Sequence, residues 1–427
     1  MKSAMSSSEA ATHPVLRRLF GALTEHGLSW TLLRVPSDLA APTGDVDVLV
    51  APTDAGTLRQ VAEGLGFVAL PGWSEPPNLV LVSYDRPTNR WLLLDVVTDV
   101  SFRSPPSWAL AGAAREVLAR RQIRGATVVP ADDDAFWLLL LHCLLDRRTV
   151  AAHYRAPLSE LAPAAAHSKL ARLALDAAGP SWTATGFIDL VLGGEWQALE
   201  ELSRPLADAL NRRRPRSERA RAAAASIFAT ARKPLLLQRR RGINVALIGP
   251  DGAGKSTMAA ELQHSYPFES RVVYMGLWKG AGGRPARRLA EILSRPLRIW
   301  HRYAQAQYHQ LRGRLVIFDR YVYEARLPAQ PPWRAIKRPY FWILGHMVPP
   351  AQTSVVLDVP ADMAYARKQE NSADGLESER RFYAELVDRI PALQVVDGSR
   401  DVETVSADIT AILWRTLVRR WHPAHRS

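Results

Sequence analysis

The chain has 427 residues, too many for one ordinary hydrophobic core, so its length predicts two or three domains. Hydrophobic residues make up 47% and charged residues 23%, a composition typical of soluble globular proteins. Cys143 is the only cysteine, which excludes an intramolecular disulfide. Its apolar neighbours in "LLLLHCLLD" predict a buried thiol in a reducing cytosol.

The N-terminal third is predicted to mix helices and strands. Helices are expected near His13–His26 and at "DAGTLRQVAEGLG", and strands at "SWTLLRV" and "DVDVLV". The apolar runs "LVLVSYD" and "RWLLLDVVTDV", joined by "RPTN", predict a hairpin. No apolar run resembles a signal peptide or reaches the ~18–20 residues that cross a bilayer. We therefore expect a cytoplasmic protein without a transmembrane segment.

Carboxylates interrupt two of these predicted strands. Asp45 and Asp47 are two residues apart, so both point to one face, and Asp95 and Asp99 share a face of the next strand. An acid within a run as apolar as "LLLDVV" is costly to bury unless something pairs with it. Asp45, Asp47 and Asp95 could together hold Mg²⁺ at a phosphoryl- or nucleotidyl-transfer centre. A purely structural role for these acids is the alternative.

The Gly-Asp-x-Asp strand and the later strand aspartate resemble the nucleotidyltransferase fold, over about residues 15–100. The resemblance implies an α+β domain at residues 1–105, with a helical extension at 106–210 where Ala and Leu recur at three- and four-residue spacing. The family's Gly-Ser pair at a helix start is missing from "LLRVPSDLAAPT", which leaves a non-catalytic or differently specific domain as an alternative. His142 and His153 are predicted to be core or surface residues, since neither has a second ligand at metal spacing.

A basic segment follows at residues 211–242. It contains eleven basic residues and one acid, a net charge of +10 out of +13 for the whole chain. The excess charge is therefore local. The segment is predicted to be a solvated basic linker or, alternatively, a patch for an anionic partner such as lipid, glycan or nucleic acid.

Residues 243–427 alternate short apolar strands with helical segments. The predicted strands are rich in β-branched residues and read "NVALIG", "RVVYM", "LVIFD", "TSVVLDV" and "LQVVD". This alternation predicts an α/β domain with a doubly wound parallel sheet that is buried on both faces.

The first of these strands leads into "GPDGAGKST". Gly249, Gly254, Lys255 and Ser256 satisfy the pattern G-x-x-x-x-G-K-[ST] between a strand and a helix. The glycines let backbone N–H groups face phosphates, the lysine reaches the β- and γ-phosphates, and the serine hydroxyl can ligate Mg²⁺. The predicted nucleotide-binding residues are Gly249, Asp251, Gly252, Ala253, Gly254, Lys255, Ser256 and Thr257.

Asp319 and Arg320 stand where the strand "LVIFD" is predicted to leave the sheet. An acid at this position can bind Mg²⁺ or orient an acceptor oxygen. The arginine can hold an anionic acceptor or stabilise the charge of a transferring group. The alternative is a structural Asp–Arg pair that closes the strand.

Basic residues follow the next strand. Arg367 and Lys368 end one predicted helix and Arg380 lies on the next, which suits a lid that closes over phosphates and excludes water. A solvated, charged helical hairpin is the alternative. Asp397 and Ser399, after the last strand, are where an adenine pocket is expected.

Together "GPDGAGKST", "VIFDRY" and the basic segment after "VVLDVP" resemble the thymidylate kinase-like branch of the P-loop nucleoside monophosphate kinases, over about residues 243–420. The resemblance implies ATP and Mg²⁺ as cofactors and phosphoryl transfer to a small acceptor, in the first place a nucleoside monophosphate. It leaves a homodimer open. The catalytic residues that it implies are Lys255, Asp319, Arg320, Arg367, Lys368 and Arg380.

The acceptor loop departs from that family. Thymidylate kinases carry an Arg-Glu-Pro-Gly-Gly-type stretch after the second strand, whereas this chain reads "VVYMGLWKGAGGRPARR". Arg284, Arg287 and Arg288 could still bind an anionic acceptor. A sugar or glycan-type acceptor, or a non-catalytic ATP-binding scaffold, are the alternatives that this departure leaves.

Overall fold

The chain folds as two compact units in the computed structural model, Met1–Ser83 with Leu92–Pro234, and Tyr84–Trp91 with Leu235–Ser427. The predicted division into four segments stays a prediction. None of the described helices is long and apolar enough to cross a membrane. The structure describes residues 12–34, 38–70, 78–103, 108–220, 224, 242–277, 285–326, 334–368, 372–387, 389–390 and 392–421.

The N-terminal sheet has five strands in the order β1-β2-β5-β4-β3. The second and fifth strands run parallel, and the pairs β1/β2 and β3/β4 are antiparallel. The two helices of this region, Pro14–Glu25 and Ala55–Gly64, bury apolar residues in the same core as the sheet. The strands are β1 (Trp30–Leu32), β2 (Val46–Val50), β3 (Val68–Ala69), β4 (Leu79–Asp85) and β5 (Arg90–Val97), and the helices are α1 (Pro14–Glu25) and α2 (Ala55–Gly64).

The region predicted to be a helical extension also contains strands. Two short antiparallel ribbons, β6 with β7 and β8 with β9, lie in or at the edge of residues 106–210. The turn of the second ribbon contains Gly125 at φ +60°, a left-handed conformation that glycine adopts without strain. The strands are β6 (Ser101–Phe102), β7 (Trp108–Ala109), β8 (Gln122–Arg124) and β9 (Thr127–Val129).

The rest of this region is helical, as predicted. Its apolar core includes Phe136, Trp137 and Cys143, and the buried cysteine agrees with the sequence prediction. The helices are α3 (Ala113–Ala119), α4 (Asp132–Leu141), a π-helix (His142–Arg147), α5 (Ala152–Leu161), a 3₁₀-helix (Ala162–His167), α6 (Lys169–Ala178), α7 (Ala184–Leu192), α8 (Trp196–Glu201) and α9 (Ser203–Arg213).

The second unit contains the predicted parallel sheet. Its five strands have the order β11-β12-β10-β13-β14, and every neighbouring pair is parallel. All five residues of the central strand β10 are buried, as expected for a strand covered on both faces. The strands are β10 (Asn244–Ile248), β11 (Ser270–Tyr274), β12 (Leu315–Asp319), β13 (Thr353–Asp358) and β14 (Leu393–Asp397).

Helices follow these strands in alternation, which confirms the predicted α/β class for this unit. Since the strands are parallel, their carboxyl ends meet at one edge of the sheet. The helices are α10 (Lys255–Ser265), α11 (Pro285–Leu311), a 3₁₀-helix (Val322–Arg326), α12 (Arg334–His346), α13 (Ala361–Arg367), α14 (Ala373–Leu386) and α15 (Val402–Trp421).

Candidate functional site

The phosphate loop leaves the central strand β10 and enters α10. Gly249 and Gly252 have φ of +143° and +84°, which side-chain-bearing residues rarely adopt. A Cβ at Gly249 would lie 2.7 Å from the carbonyl oxygen of Leu357, and one at Gly252 would lie 2.3 Å from that of Ala364. Both positions therefore require glycine for two reasons, backbone conformation and space.

Lys255 is the first residue of α10 and is 6% exposed. Its Nζ donates to the carbonyl oxygens of Gly249 and Pro250, at 2.9 and 2.7 Å, and so lies inside the loop that it follows. Burial, helped by the positive charge of Arg320, lowers the pKa of Lys255 to about 8. Asp251 lies 3.8 Å from the amine, but burial outweighs its charge, so an anionic phosphate would further stabilise the charged form of Lys255.

Ser256 and Asp319 meet across the carboxyl edge of the sheet. The Ser256 hydroxyl donates to Oδ2 of Asp319 at 2.8 Å. Asp319 ends β12, and the strand register places it beside Leu247 of β10 and Tyr274 of β11. A hydroxyl and a carboxylate are the hard oxygen ligands that Mg²⁺ prefers, and this ion commonly takes one or two protein ligands together with substrate phosphates. The donor set fits the predicted magnesium ion.

Arg320 follows Asp319 and has φ +67°, an uncommon conformation for a non-glycine residue. Its guanidinium bridges two carboxylates, Asp251 of the phosphate loop and Glu324, and donates to the latter at 2.8 Å. Burial opposes the charge of Arg320, but Glu324 and Asp251 outweigh it and raise the pKa above its usual value. The phosphate loop and the residue predicted to hold the acceptor are therefore joined directly.

Glu324 was not predicted from the sequence. It is 5% exposed, and burial raises the pKa of its carboxyl against the opposing charge of Arg320. Its Oε2 is buried without a hydrogen-bond partner, so that one oxygen faces the interior. The spacing in "DRYVYE", four residues after Arg320, is the signal that could have indicated this pair.

A cleft opens beside Arg320, where β11 ends. A Cβ at Gly276 would lie 2.7 Å from Cδ of Arg320, so this glycine lets the strand end approach the arginine closely. Arg302 donates to the carbonyl oxygen of Gly276 at 3.3 Å, and its guanidinium lies 5.4 Å from the ring centre of Tyr274. We call this the arginine cleft; its lining residues are Gly276, Leu277, Arg295, Arg298, Ile299 and Arg302.

The arginine cleft occupies the place where an acceptor loop was expected, but other residues line it. Arg284 lies outside the described residues, as do the side chains of Arg287 and Arg288. The cleft arginines come about two to four turns later, on α11. They recur at i, i+3 and i+7, on the same side of the helix as buried Ile299, which is the pattern that could have shown them.

The predicted lid spans α13 and α14. Arg367 and Lys368 end α13 and are exposed, and the charge of Lys368 reaches the Asp251 carboxyl. Arg380 pairs instead with Asp358 at the end of β13, through two hydrogen bonds of 2.5 and 3.1 Å. The structure therefore pairs Arg380 with the end of β13, and its role in the lid stays a prediction.

Asp397 and Ser399 form a local turn after β14. The backbone N–H and the hydroxyl of Ser399 both donate to Oδ1 of Asp397, at 3.0 and 2.5 Å. The Asp397 and Ser399 side chains are therefore hydrogen-bonded to each other within the turn. The adenine pocket at this position stays a prediction.

The N-terminal carboxylates converge on neighbouring strands. Asp47 and Asp95 stand opposite each other in the parallel pair β2/β5, and Asp45 directly precedes β2. Burial, then the charges of Asp47 and Asp45, raise the pKa of Asp95 to about 6.

Asp99 was predicted to share a strand face with Asp95, but β5 ends at Val97. Its carboxylate instead accepts the N–H of Val100 at 2.9 Å.

A positively charged side chain already lies beside these carboxylates. Arg34 pairs with Asp47 at 2.8 Å. Among the described residues, no group of three or more His, Cys, Asp or Glu side chains is arranged to hold a metal ion. The assignment of Asp45, Asp47 and Asp95 as metal ligands thus stays a prediction.

His142, predicted to be a core or surface residue, is 7% exposed and lies in the core. It opens the π-helix, and its Nδ1 lies 2.8 Å from Oδ2 of Asp146. The other oxygen of Asp146 accepts the backbone N–H of Arg103 at 2.7 Å. This buried His–Asp pair was not predicted. The two residues are four apart in the sequence, and that spacing alone does not show that the segment forms a π-helix.

The comparisons with known proteins concern part of the chain. No protein-family model matches it. A thymidylate kinase of Symbiobacterium thermophilum is 28% identical over 209 residues, which are 42% of this chain and 96% of that kinase. Two solved structures of deoxyadenosine kinase from M. mycoides are also similar, one with dCMP and dCDP bound and one with dATP bound. Each match covers 40% of this chain and 98% of the kinase chain. Their identities are 16% and 18%, and their TM-scores are 0.31 and 0.28.

The phosphate loop, the Ser256–Asp319 pair and the sequence match support a P-loop kinase region that covers about 40% of the chain. Within that class, the similarity is to a nucleotide kinase.

Proposed function

We propose that the kinase region transfers the γ-phosphoryl group of ATP to a small anionic acceptor, in the first place a nucleoside monophosphate. The hydrogen bond of 2.8 Å between Ser256 and Asp319 carries this proposal, because it places both predicted Mg²⁺ ligands together beside the loop that holds Lys255. When bound, Mg²⁺ would neutralise charge on the β- and γ-phosphates. The phosphate loop and Lys255 position the donor.

We assign the acceptor phosphate to Arg320 and the arginine cleft, whose free volume of about 10 Å³ must widen to admit a nucleotide. Arg320 is held by Asp251 and Glu324, so its guanidinium is fixed before any substrate arrives. Gly276, after the end of β11, lies against Arg320 and also lines the arginine cleft, whose three arginines are on α11. Several guanidinium groups suit an acceptor that already carries a phosphate and give a neutral sugar no comparable attraction. This charge favours a nucleotide over a sugar or glycan acceptor.

The predicted lid completes the proposal. Arg367 and Lys368 are exposed at the end of α13, and the charge of Lys368 acts on the Asp251 carboxyl of the phosphate loop. Closure over the donor phosphates would exclude water, so that the phosphoryl group passes to the acceptor and not to solvent. Arg380 would join the lid only after leaving Asp358.

The test is a transfer screen with γ-labelled ATP and Mg²⁺ over nucleoside monophosphates, sugars and glycan ends. We expect label on at least one nucleoside monophosphate, and loss of transfer of at least 100-fold in Lys255→Ala. Transfer to a neutral sugar alone would instead support the glycan-type acceptor. ATP binding without transfer to any acceptor would support a scaffold, and transfer that persists in Lys255→Ala would reject the site.

For the first unit, we propose a nucleotidyltransferase-like domain whose acids Asp45, Asp47 and Asp95 bind Mg²⁺. The register that sets Asp47 opposite Asp95 supports this proposal, and the Arg34–Asp47 pair would have to open. The expected result is Mg²⁺-dependent nucleotidyl transfer that Asp45→Asn abolishes. If no nucleoside triphosphate supports transfer, the acids have a structural role.

A further inference from the structure

A buried histidine and aspartate of the first unit take no part in the functions proposed for the two units. His142 and Asp146 belong to the π-helix that follows α4, and their side chains meet at 2.8 Å. Turns of π-helix are rare and frequently occur at functional sites. The second carboxylate oxygen of Asp146 accepts the backbone N–H of Arg103 at 2.7 Å, so the aspartate is held from two sides. We call His142 and Asp146 the His–Asp pair.

Arg147 determines which ring nitrogen of His142 carries the proton. Its Nε lies 3.5 Å from Nε2 of His142, and a guanidinium can only donate, so Nε2 accepts and Nδ1 donates to Asp146. Burial would raise the pKa of Asp146, but its two hydrogen bonds and the charge of Arg34 lower it. An ionised carboxylate on Nδ1–H and a lone pair on Nε2 are the arrangement of a general base with its orienting acid. The contact with Arg147 is long, so a hydroxyl group can replace it at Nε2.

The carboxylates of β2 and β5 face the helical region that contains this pair. Side chains two residues apart on a strand share a face. Leu49 comes two residues after Asp47 and belongs to the apolar core that includes Leu144 of the π-helix. Val97 comes two residues after Asp95 and packs against the same core. Asp47 and Asp95, which are opposite each other in the sheet, therefore point to the side on which the π-helix packs.

Two arginines act on both the carboxylates and the His–Asp pair. Arg34 pairs with Asp47 at 2.8 Å. Its positive charge works against burial, which raises the pKa of both Asp95 and Asp146. Arg103 holds Asp146 through its backbone, and its guanidinium charge likewise works against the raised pKa of Asp95. The acids proposed to bind Mg²⁺ and the His–Asp pair are therefore close enough to share the same positive charges.

We propose that the His–Asp pair activates a hydroxyl group, so that the first unit transfers a nucleotidyl group to an alcohol. The acceptor oxygen gives its proton to Nε2 of His142 and forms a bond to the α-phosphorus, while the bond from that phosphorus to pyrophosphate breaks. Asp146 stabilises the imidazolium that results. A phosphate acceptor is already ionised at neutral pH and needs no such base. The inference rests on the nucleotidyltransferase function proposed for this unit and names the substrate class of the same site.

The test follows the α-phosphate of ATP in the full chain. With α-labelled ATP and Mg²⁺, nucleotidyl transfer labels the acceptor, whereas transfer of the γ-phosphoryl group leaves the label in ADP. Water is itself a hydroxyl acceptor, so AMP and pyrophosphate should form slowly when no other acceptor is added. Glycerol, glucose and glucose 1-phosphate are then supplied in turn. We expect labelled phosphodiesters and no labelled pyrophosphate linkage.

Variants of the pair separate catalysis from donor binding. His142→Gln should lower kcat for AMP formation by about 100-fold or more, since a general base contributes that much. Asp146→Asn should lower it by about ten-fold or more, because the amide leaves the imidazole poorly oriented. KM for ATP should change less than about two-fold in both variants, since neither residue holds the donor. His167→Gln, at an exposed histidine that ends the 3₁₀-helix, is the matched control and should change neither constant. Thermal unfolding checks that all three variants fold.

The position of the imidazole proton gives a readout that does not depend on activity. Nitrogen-15 NMR of the histidine-labelled chain should show the proton of His142 on Nδ1, in the signal that His142→Gln removes. A proton on Nε2 would overturn the proposal, and so would AMP formation that His142→Gln leaves unchanged. Label found only in a pyrophosphate linkage would keep the nucleotidyltransferase function and reject the hydroxyl acceptor. If no nucleoside triphosphate yields its monophosphate or a labelled acceptor, both are rejected.

Discussion

At the scale of single residues, Lys255 should make ATP binding depend on pH. It is 6% exposed and donates to two carbonyl oxygens, and its pKa lies at about 8 because burial disfavours the charged amine. Phosphates would favour that charged form, so ATP binding should raise the pKa. Above pH 8 the free protein must therefore take up a proton as ATP binds, and the affinity should fall as pH rises.

We expect about three-quarters of a proton to be taken up per ATP analogue bound at pH 8.5, and little at pH 6.5. Calorimetric titrations in two buffers with different ionisation enthalpies measure this number. Lys255→Arg keeps its charge throughout this range and should bind without proton uptake. Uptake that is equal in the variant and in the unsubstituted chain would assign the proton to another group.

Arg320 is the second residue on which the site depends. Because it pairs with Glu324, which is 5% exposed, Arg320→Ala should leave a buried carboxylate without its counter-charge. We expect a loss of about 3–5 kcal/mol in the free energy of unfolding. Glu324→Gln in the same background should restore at least ~1 kcal/mol, since a neutral amide is less costly to bury. Urea unfolding of the single and double variants measures this coupling, and additive effects would contradict it.

At the scale of elements, the parallel sheet could be predicted from the sequence. Runs such as "NVALIG" and "TSVVLDV" are short, apolar and rich in β-branched residues. These features are enough to predict a strand that is buried on both faces. The ribbon Gln122–Arg124 with Thr127–Val129 was missed, because two strands of three residues give too short a pattern within an Ala- and Leu-rich region.

Side-chain partners were harder to predict than elements. The phosphate loop has a fixed local pattern, so Lys255 and Ser256 could be assigned from sequence alone. The bond of Arg380 to Asp358 joins residues 22 positions apart, and its geometry depends on how α14 packs on β13. No local spacing indicates such a pair, which is why Arg380 was assigned to the lid without its present partner.

That pair gives a prediction for α14. The Arg380 and Asp358 side chains are each 36% exposed, so opening the pair should cost at most ~1 kcal/mol. If Arg380 must leave Asp358 to reach phosphates, Asp358→Asn should tighten ATP binding about two- to five-fold. Arg381→Ala, at a residue that is 78% exposed, is the matched control and should change it less than two-fold. Unchanged or weaker binding in Asp358→Asn would mean that the pair is structural.

At the scale of the whole molecule, charge and apolar surface are concentrated in different places. Residues 211–242 carry +10 of the net +13, whereas α11 exposes large apolar side chains, among them Leu293 and Leu297. Most of this basic segment lies outside the described residues, and an anionic partner for it stays a prediction. The helix α11 has two different faces, because its inner side lines the arginine cleft and its outer side exposes apolar residues such as Leu293 and Leu297.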